Sequence, residues 1–239
     1  MYYSAILPCA LSAIVSYFIA NSLGVNFPKY SIAQAPPPEP NIITGVIVLA
    51  VICGLCSILL CVSIKKAQKL YEKVFPNVYI KAFIGGLILV WLTYAVGSAR
   101  CNGGGLSLIK DAFDGFSLPQ DFILKIVFTA LTLAAGFKEG EIVPTLVIGS
   151  VLGSFLAPYL GLSTELASGI GFCAVFCGAI NCPVTAFVLG VESFGCSAGI
   201  YFLLACAVSY VCSGYYGLYN QQKIWFDKPH AAFIGRNAK

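Results

Sequence analysis

Charge is scarce in this chain and histidine nearly absent. Aspartate, glutamate, lysine and arginine together make up 10% of 239 residues, and His230 is the single histidine. A metal centre built on imidazoles therefore has too few ligands, and the expectation is no metal and no cofactor. No Ser/His/Asp set or paired-carboxylate system stands out beyond Glu139 and Glu141, so the chain is not expected to be an enzyme. The net charge of +4 comes without a basic stripe or aromatic-basic interleaving, which argues against a nucleic-acid partner. Residues 1–28 lack the basic start, the short apolar run and the small-x-small site of a cleaved leader, and read as a retained membrane helix.

What is abundant is apolar sequence. Hydrophobic residues make up 59% of the chain, and the mean hydropathy is +0.87. Charge-free windows cover residues 1–28, 40–64, 82–99, 142–164, 166–191 and 193–222, and most are long enough for the roughly 20 apolar residues that cross a bilayer. The fold class is all-α, a polytopic membrane protein in contact with lipid. Eight of the eleven cysteines, Cys9, Cys53, Cys56, Cys61, Cys173, Cys177, Cys206 and Cys212, lie inside these windows and behave as small hydrophobes.

Taken in order, a first helix is predicted over 3–23, then the stiff extended segment Ala35 to Pro40. A second helix over 41–64 ends in a loop carrying Lys65, Lys66, Lys69 and Lys73, with Lys81 beyond Pro76. Such a loop belongs on the cytoplasmic side, as does the tail with Lys223, Lys228, Arg236 and Lys239. A third helix spans 80–97 and meets the glycine-rich break Arg100 to Leu106. An interfacial stretch, Ser107 to Gln120, leads to a fourth helix over 121–135. Shorter helices follow over 142–157, from Thr164 as cap to about 180, over 183–194 and over 198–213, separated by Pro158, Gly161 and Asn181 to Pro183. Broken apolar helices of this kind bind ions or substrates with their ends.

Gly136 to Gly153 concentrates the chemistry, because Lys138, Glu139 and Glu141 sit between two long apolar runs, an expensive arrangement in a membrane. A helix beginning near Glu141, with Pro144 in its first turn, presents unpaired N–H groups and the positive end of its dipole, which is an anion site. Gly140 allows close backbone approach. Gly149 and Gly153 form a small-residue face for helix contact.

The run from Gly136 to Gly153 resembles the G-x-F-x-P-x-L-x-x-G-x-x-x-G signature of the CLC family of voltage-gated chloride channels and anion/proton exchangers. Ala167 to Glu192 looks like the next two helices of that family, and Gly217 to Asn220 like its tyrosine-bearing segment near the start of the last helix. The resemblance is strong over 120–224 and looser before. It implies one transmembrane domain over 1–239, with an anion-site core at 120–224 and a cytoplasmic tail at 225–239. It also implies a fold of broken, tilted helices like the second inverted repeat of the family, and an anion site made by Gly140, Glu141, Ile142 and the hydroxyl of Tyr219, with Tyr215 and Tyr216 as rival positions. Glu139 is either a gate or pore-lining group with Lys138, or one partner of a Lys138/Glu139 surface pair. No G-S-G-I-P or G-x-E-G-P segment of a first half is present.

Two functions follow as expectations. One is chloride or similar anion transport in the plasma membrane, as a multi-pass homodimer whose interface uses the helices 3–23 and 183–213. The other is a non-conducting subunit or fragment that needs a separate first-half polypeptide.

Overall fold

A computed structural model of the chain describes residues 6–25, 30–32, 35–138, 140–219, 221–228, 230 and 232–238. The apolar windows become helices broken where proline, glycine or asparagine interrupts them. In order these are α1 (Ile6–Ser22), α2 (Pro40–Val74), α3 (Val78–Val96), α4 (Leu106–Phe113), α5 (Asp121–Ala135), α6 (Ile142–Leu160), α7 (Thr164–Ile180), α8 (Pro183–Phe194) and α9 (Gly199–Cys212), with a 3₁₀ turn at Cys196–Ala198 between the last two. By length and composition α2, α3 and α6 are able to cross a membrane, while α1, α7, α8 and α9 are shorter apolar helices. The all-α polytopic class holds, with broken helices as its distinguishing trait.

The basic segment after residue 64 is helix rather than loop. α2 runs unbroken for 35 residues to Val74, carrying Lys65, Lys66, Lys69 and Lys73 with it. At 1.5 Å per residue it is about 52 Å long, well beyond the roughly 30 Å hydrocarbon layer, so its basic end projects past the apolar slab. It stops at Phe75, where Pro76 disfavours a helical conformation in the residue before it. Two smaller differences from the sequence expectation are also present. α6 continues through Pro158 to Leu160, and the N-cap of α7 is Ser163 rather than Thr164.

The core is arranged around α7. Every residue from Leu166 to Ile180 is buried, as expected of a helix that is apolar all round and surrounded by others. α2, α6 and α9 pack on it. The contact with α6 is made by backbone: a Cβ built on Gly149 falls 2.1 Å from the carbonyl oxygen of Gly171, and one on Gly153 falls 2.0 Å from that of Ala167. Beside these glycines the buried hydroxyls of Ser150 and Ser168 pair at 2.6 Å.

The glycine-rich break is held by a side chain that the hydropathy pattern concealed. Lys125 of α5 is 1% exposed and donates to the carbonyl oxygens of Cys101 and Gly103. Hydrogen bonds from a charged donor are worth about 1.5–3 kcal/mol each. Lys125→Met is accordingly expected to lower stability by about 3 kcal/mol, read as a fall in detergent melting temperature; an unchanged midpoint contradicts the anchoring role.

The tail is not helical among the described residues. Lys223–Phe226 (β1) pairs antiparallel with Phe233–Asn237 (β2), with Lys223 opposite Asn237 and Ile224 opposite Arg236. The segment bearing Gly217 to Tyr219 therefore leads into a hairpin, and the expected last helix is absent there.

Candidate functional site

α6 begins at Ile142, with Glu141 as its N-cap in the right-handed helical region. Pro144 is the third residue of the helix, where its missing N–H costs little. The first-turn N–H groups of Ile142 and Val143 have no carbonyl four residues back within the helix. Glu141 makes no side-chain capping bond to them. Its carbonyl oxygen instead accepts from the Thr145 hydroxyl at 2.7 Å. Among the described residues no side chain caps this helix end, and the positive end of its dipole lies there.

The Glu141 carboxyl group has an unusual setting. Among the described residues its Oε2 atom is buried and has no hydrogen-bond partner, and burial raises its pKa above the ordinary value of about 4.5. A carboxyl placed this way favours its neutral form more than a surface glutamate does.

Tyr219 sits between α9 and the tail hairpin. It lies within electrostatic reach of Glu141 and of Cys182, and burial first, then the Glu141 charge, then Cys182, raises its phenol above the usual range. The hydroxyl stays protonated at neutral pH and keeps a hydrogen-bond donor. Its neighbours are engaged elsewhere. The Tyr215 hydroxyl bonds to Asp227 and its ring stacks under Arg236 at 4.8 Å, while Tyr216 packs against the core.

The remaining predicted residues are placed as follows. Gly140 is exposed, and a Cβ built on it meets nothing within 4 Å, so its lack of a side chain serves no packing need within this chain. Ile142 is 43% exposed and Tyr219 44% exposed, leaving the site open on one side. Lys138 is exposed and has no ion pair among the described residues. Glu139 lies outside the described residues, and with it both the gate and the Lys138/Glu139 pair.

Two cations that sequence reasoning did not assign share with Glu141 a neighbour in Cys61. Cys61 of α2 lies within electrostatic reach of Glu141, Lys65 and Lys228. Lys65 follows Cys61 by one turn, and its Nζ is buried without a partner among the described residues. Lys228 donates to Asn181 Oδ1 at 2.5 Å, to the Tyr210 carbonyl at 2.8 Å and to Ser213 Oγ at 2.8 Å. Asn181 is the one non-glycine among the described residues with positive φ, 59°, and ends α7. A cavity of about 570 Å³ between α3 and α5, reaching Lys125 and Thr129, shares none of these residues.

Known proteins resemble this chain in sequence and in fold. The family model for voltage gated chloride channels matches residues 1–214. A chloride/fluoride channel protein of Pseudomonas syringae pv. tomato is 33% identical over 236 residues, covering 96% of this chain and 52% of the relative. An uncharacterised protein of Methanocaldococcus jannaschii is 28% identical over 148 residues, covering 59% of this chain and 37% of its own. The crystal structure of a CLC-type fluoride/proton antiporter superposes with a TM-score of 0.87 at 30% identity over 91% of this chain and 55% of that one. A slow cyanobacterial chloride/proton antiporter shares the fold, with a TM-score of 0.60 at 20% identity. The chain spans about half the length of the first of these relatives.

Proposed function

Because the chain belongs to the voltage gated chloride channel family, the CLC proteins, we propose that it serves halide transport across a membrane, with the N-terminus of α6 and Tyr219 forming one wall of the ion pathway. The observation that supports this most is the helix end: the Glu141 side chain makes no capping bond to the first-turn amides, and Tyr219 lies within electrostatic reach of Glu141. Amides and a phenol hydroxyl replace part of an anion's hydration while binding it weakly enough to release it. No bond is made or broken in the anion.

The wall is open on its other side, where Ile142 and Tyr219 remain 43% and 44% exposed. A permeating halide needs donors around it, so the second wall is assigned to a first-half polypeptide of the kind the longer relatives contain. Purified chain in liposomes is expected to give no halide flux at a chloride- or fluoride-selective electrode, and co-reconstitution with such a polypeptide is expected to restore it. Flux from the chain alone contradicts the need for a second wall. No flux in either case contradicts the transport reading.

The buried carboxyl of Glu141 favours proton-coupled exchange over a simple channel. It is positioned at the anion-facing helix end and its pKa is raised by burial. The basic end of α2 and the tail face the cytoplasm in this reading, in the plasma membrane. A homodimer would use α1, α8 and α9, whose outward residues include Leu11, Phe18, Val188 and Leu203. Cross-linking of cysteines introduced on α1 and α8 is expected to trap dimers; monomers only would contradict it.

A further inference from the structure

The C-terminal hairpin is tied to the break between α7 and α8 by more hydrogen bonds than a solvated tail needs. Leu218 N–H donates to the Ala179 carbonyl at 2.9 Å. Gln222 Nε2 donates to the Ile180 carbonyl at 2.9 Å. Asn181 Nδ2 donates to the Tyr216 carbonyl at 3.0 Å and to Gln222 Oε1 at 3.3 Å. These bonds hold Tyr216, Leu218 and Gln222, and so the intervening Tyr219, against the carbonyl end of α7.

Lys228 locks the arrangement. Its three ammonium donors go to three acceptors: the Asn181 side chain, the Tyr210 carbonyl that closes α9, and Ser213. The ammonium also lies 4.2 Å from the centre of the Tyr210 ring, a cation–π contact. It thus joins the ends of two helices to the strand segment beyond Tyr219. No acidic side chain within its own hairpin competes for it, since Asp227 is bonded to Tyr215 and His230.

We infer that Lys228 is a positioning residue of the anion site: by clamping the hairpin to the α7–α8 break it fixes the place of Tyr219 beside the Glu141 end of α6. This rests on the transport reading above. The groups facing Lys228 are Cys61 of α2, Cys177 of α7 and Tyr210 of α9. Burial brings its pKa down to about 8, with Cys177 and Cys61 opposing the shift. The charge is therefore present at pH 7 and absent at pH 9, on the opposite side of neutrality from any effect of Glu141.

The test uses Lys228→Met, which keeps the stem and removes the charge, and Lys228→Arg, which keeps the charge. In the purified chain, hydrogen–deuterium exchange of the peptide covering 214–222 is expected to quicken at least about tenfold in Lys228→Met, as local opening becomes easier, and to stay near wild type in Lys228→Arg. In liposomes containing the chain with the first-half polypeptide, the half-saturating sodium chloride or sodium fluoride concentration is expected to rise about fivefold in Lys228→Met, the scale of one hydrogen bond to the anion lost as Tyr219 loses its fixed place. Wild type is expected to show the same rise between pH 7 and pH 9, and Lys228→Arg to stay level.

Unchanged exchange in Lys228→Met overturns the clamp. Faster exchange with an unchanged half-saturating concentration and pH profile reduces Lys228 to a structural tie and overturns its role at the anion site. If wild type itself carries no flux in any arrangement, the transport reading fails and the anion-affinity claim falls with it, while the exchange measurement still decides the clamp.

Discussion

Glu141→Gln is expected to abolish proton coupling while leaving the protein folded. In liposomes that hold the chain with the first-half polypeptide and carry a pH gradient, proton-driven halide uptake should fall about a hundredfold, the lower end of what a positioned proton-transfer group contributes. Passive halide flux should persist and lose its dependence on acid pH. The physical reason is the carboxyl's setting: its Oε2 is buried and unpartnered among the described residues, and burial raises its pKa. A glutamine of the same shape cannot take up or release the proton. Stability should move the other way. Below about pH 4.5 the carboxyl is protonated both folded and unfolded, so the substitution changes little. As pH rises above that value the unfolded chain ionises first, and wild type loses stability that the glutamine variant keeps. A variant at least as stable as wild type at pH 7, yet uncoupled, fits the account; retained coupling contradicts it.

The second large effect concerns α6 and α7. Gly149→Val or Gly153→Val is expected to eliminate monodisperse protein after detergent extraction. Overpacking a core typically costs about 1–3 kcal/mol where side chains are able to shift. Here even a Cβ would fall 2.1 Å from the Gly171 carbonyl oxygen or 2.0 Å from that of Ala167, and the obstacle is backbone. The two helices would have to separate, exposing the buried Ser150–Ser168 pair. Gly140→Ala is the matched control, because a Cβ there meets nothing within 4 Å. It should extract and melt like wild type. Normal behaviour of both valine variants would show that α6 and α7 tolerate a wider spacing than the structure has.

These outcomes trace how much of the molecule was legible in one dimension. Apolar runs punctuated by Gly161, Asn181 and Pro183 placed the second-half helices closely, since loss of an N–H or entry into the left-handed region breaks a helix locally, whereas Pro158 lies inside α6 without ending it. The GxxxG pair showed its packing role because small residues matter where backbones touch. The lysines after residue 64 misled: they were read as loop for their charge, although Lys66 to Val74 contains good helix formers and no breaker before Pro76. The hairpin also had a local signal, the aromatic and β-branched runs Lys223–Phe226 and Phe233–Ile234. Lys125, Lys65 and Lys228 had none. Their partners lie 22 and 24 residues away for Lys125 and 47, 18 and 15 for Lys228, and only the folded chain brings them together. The space beside Gly140 is open among the described residues, so a close approach there would be that of a ligand rather than of a packed neighbour.

The central claim is that the open end of α6 and Tyr219 bind the transported anion. It is tested most directly by bromide: crystals of the chain with the first-half polypeptide, grown in sodium bromide, with anomalous differences recorded at the bromine edge. The account predicts a peak within hydrogen-bond distance of the Ile142 amide nitrogen and the Tyr219 hydroxyl, absent when bromide is replaced by a bulky organic anion. Bromide bound in the membrane region away from both groups, with none at this helix end, would contradict it.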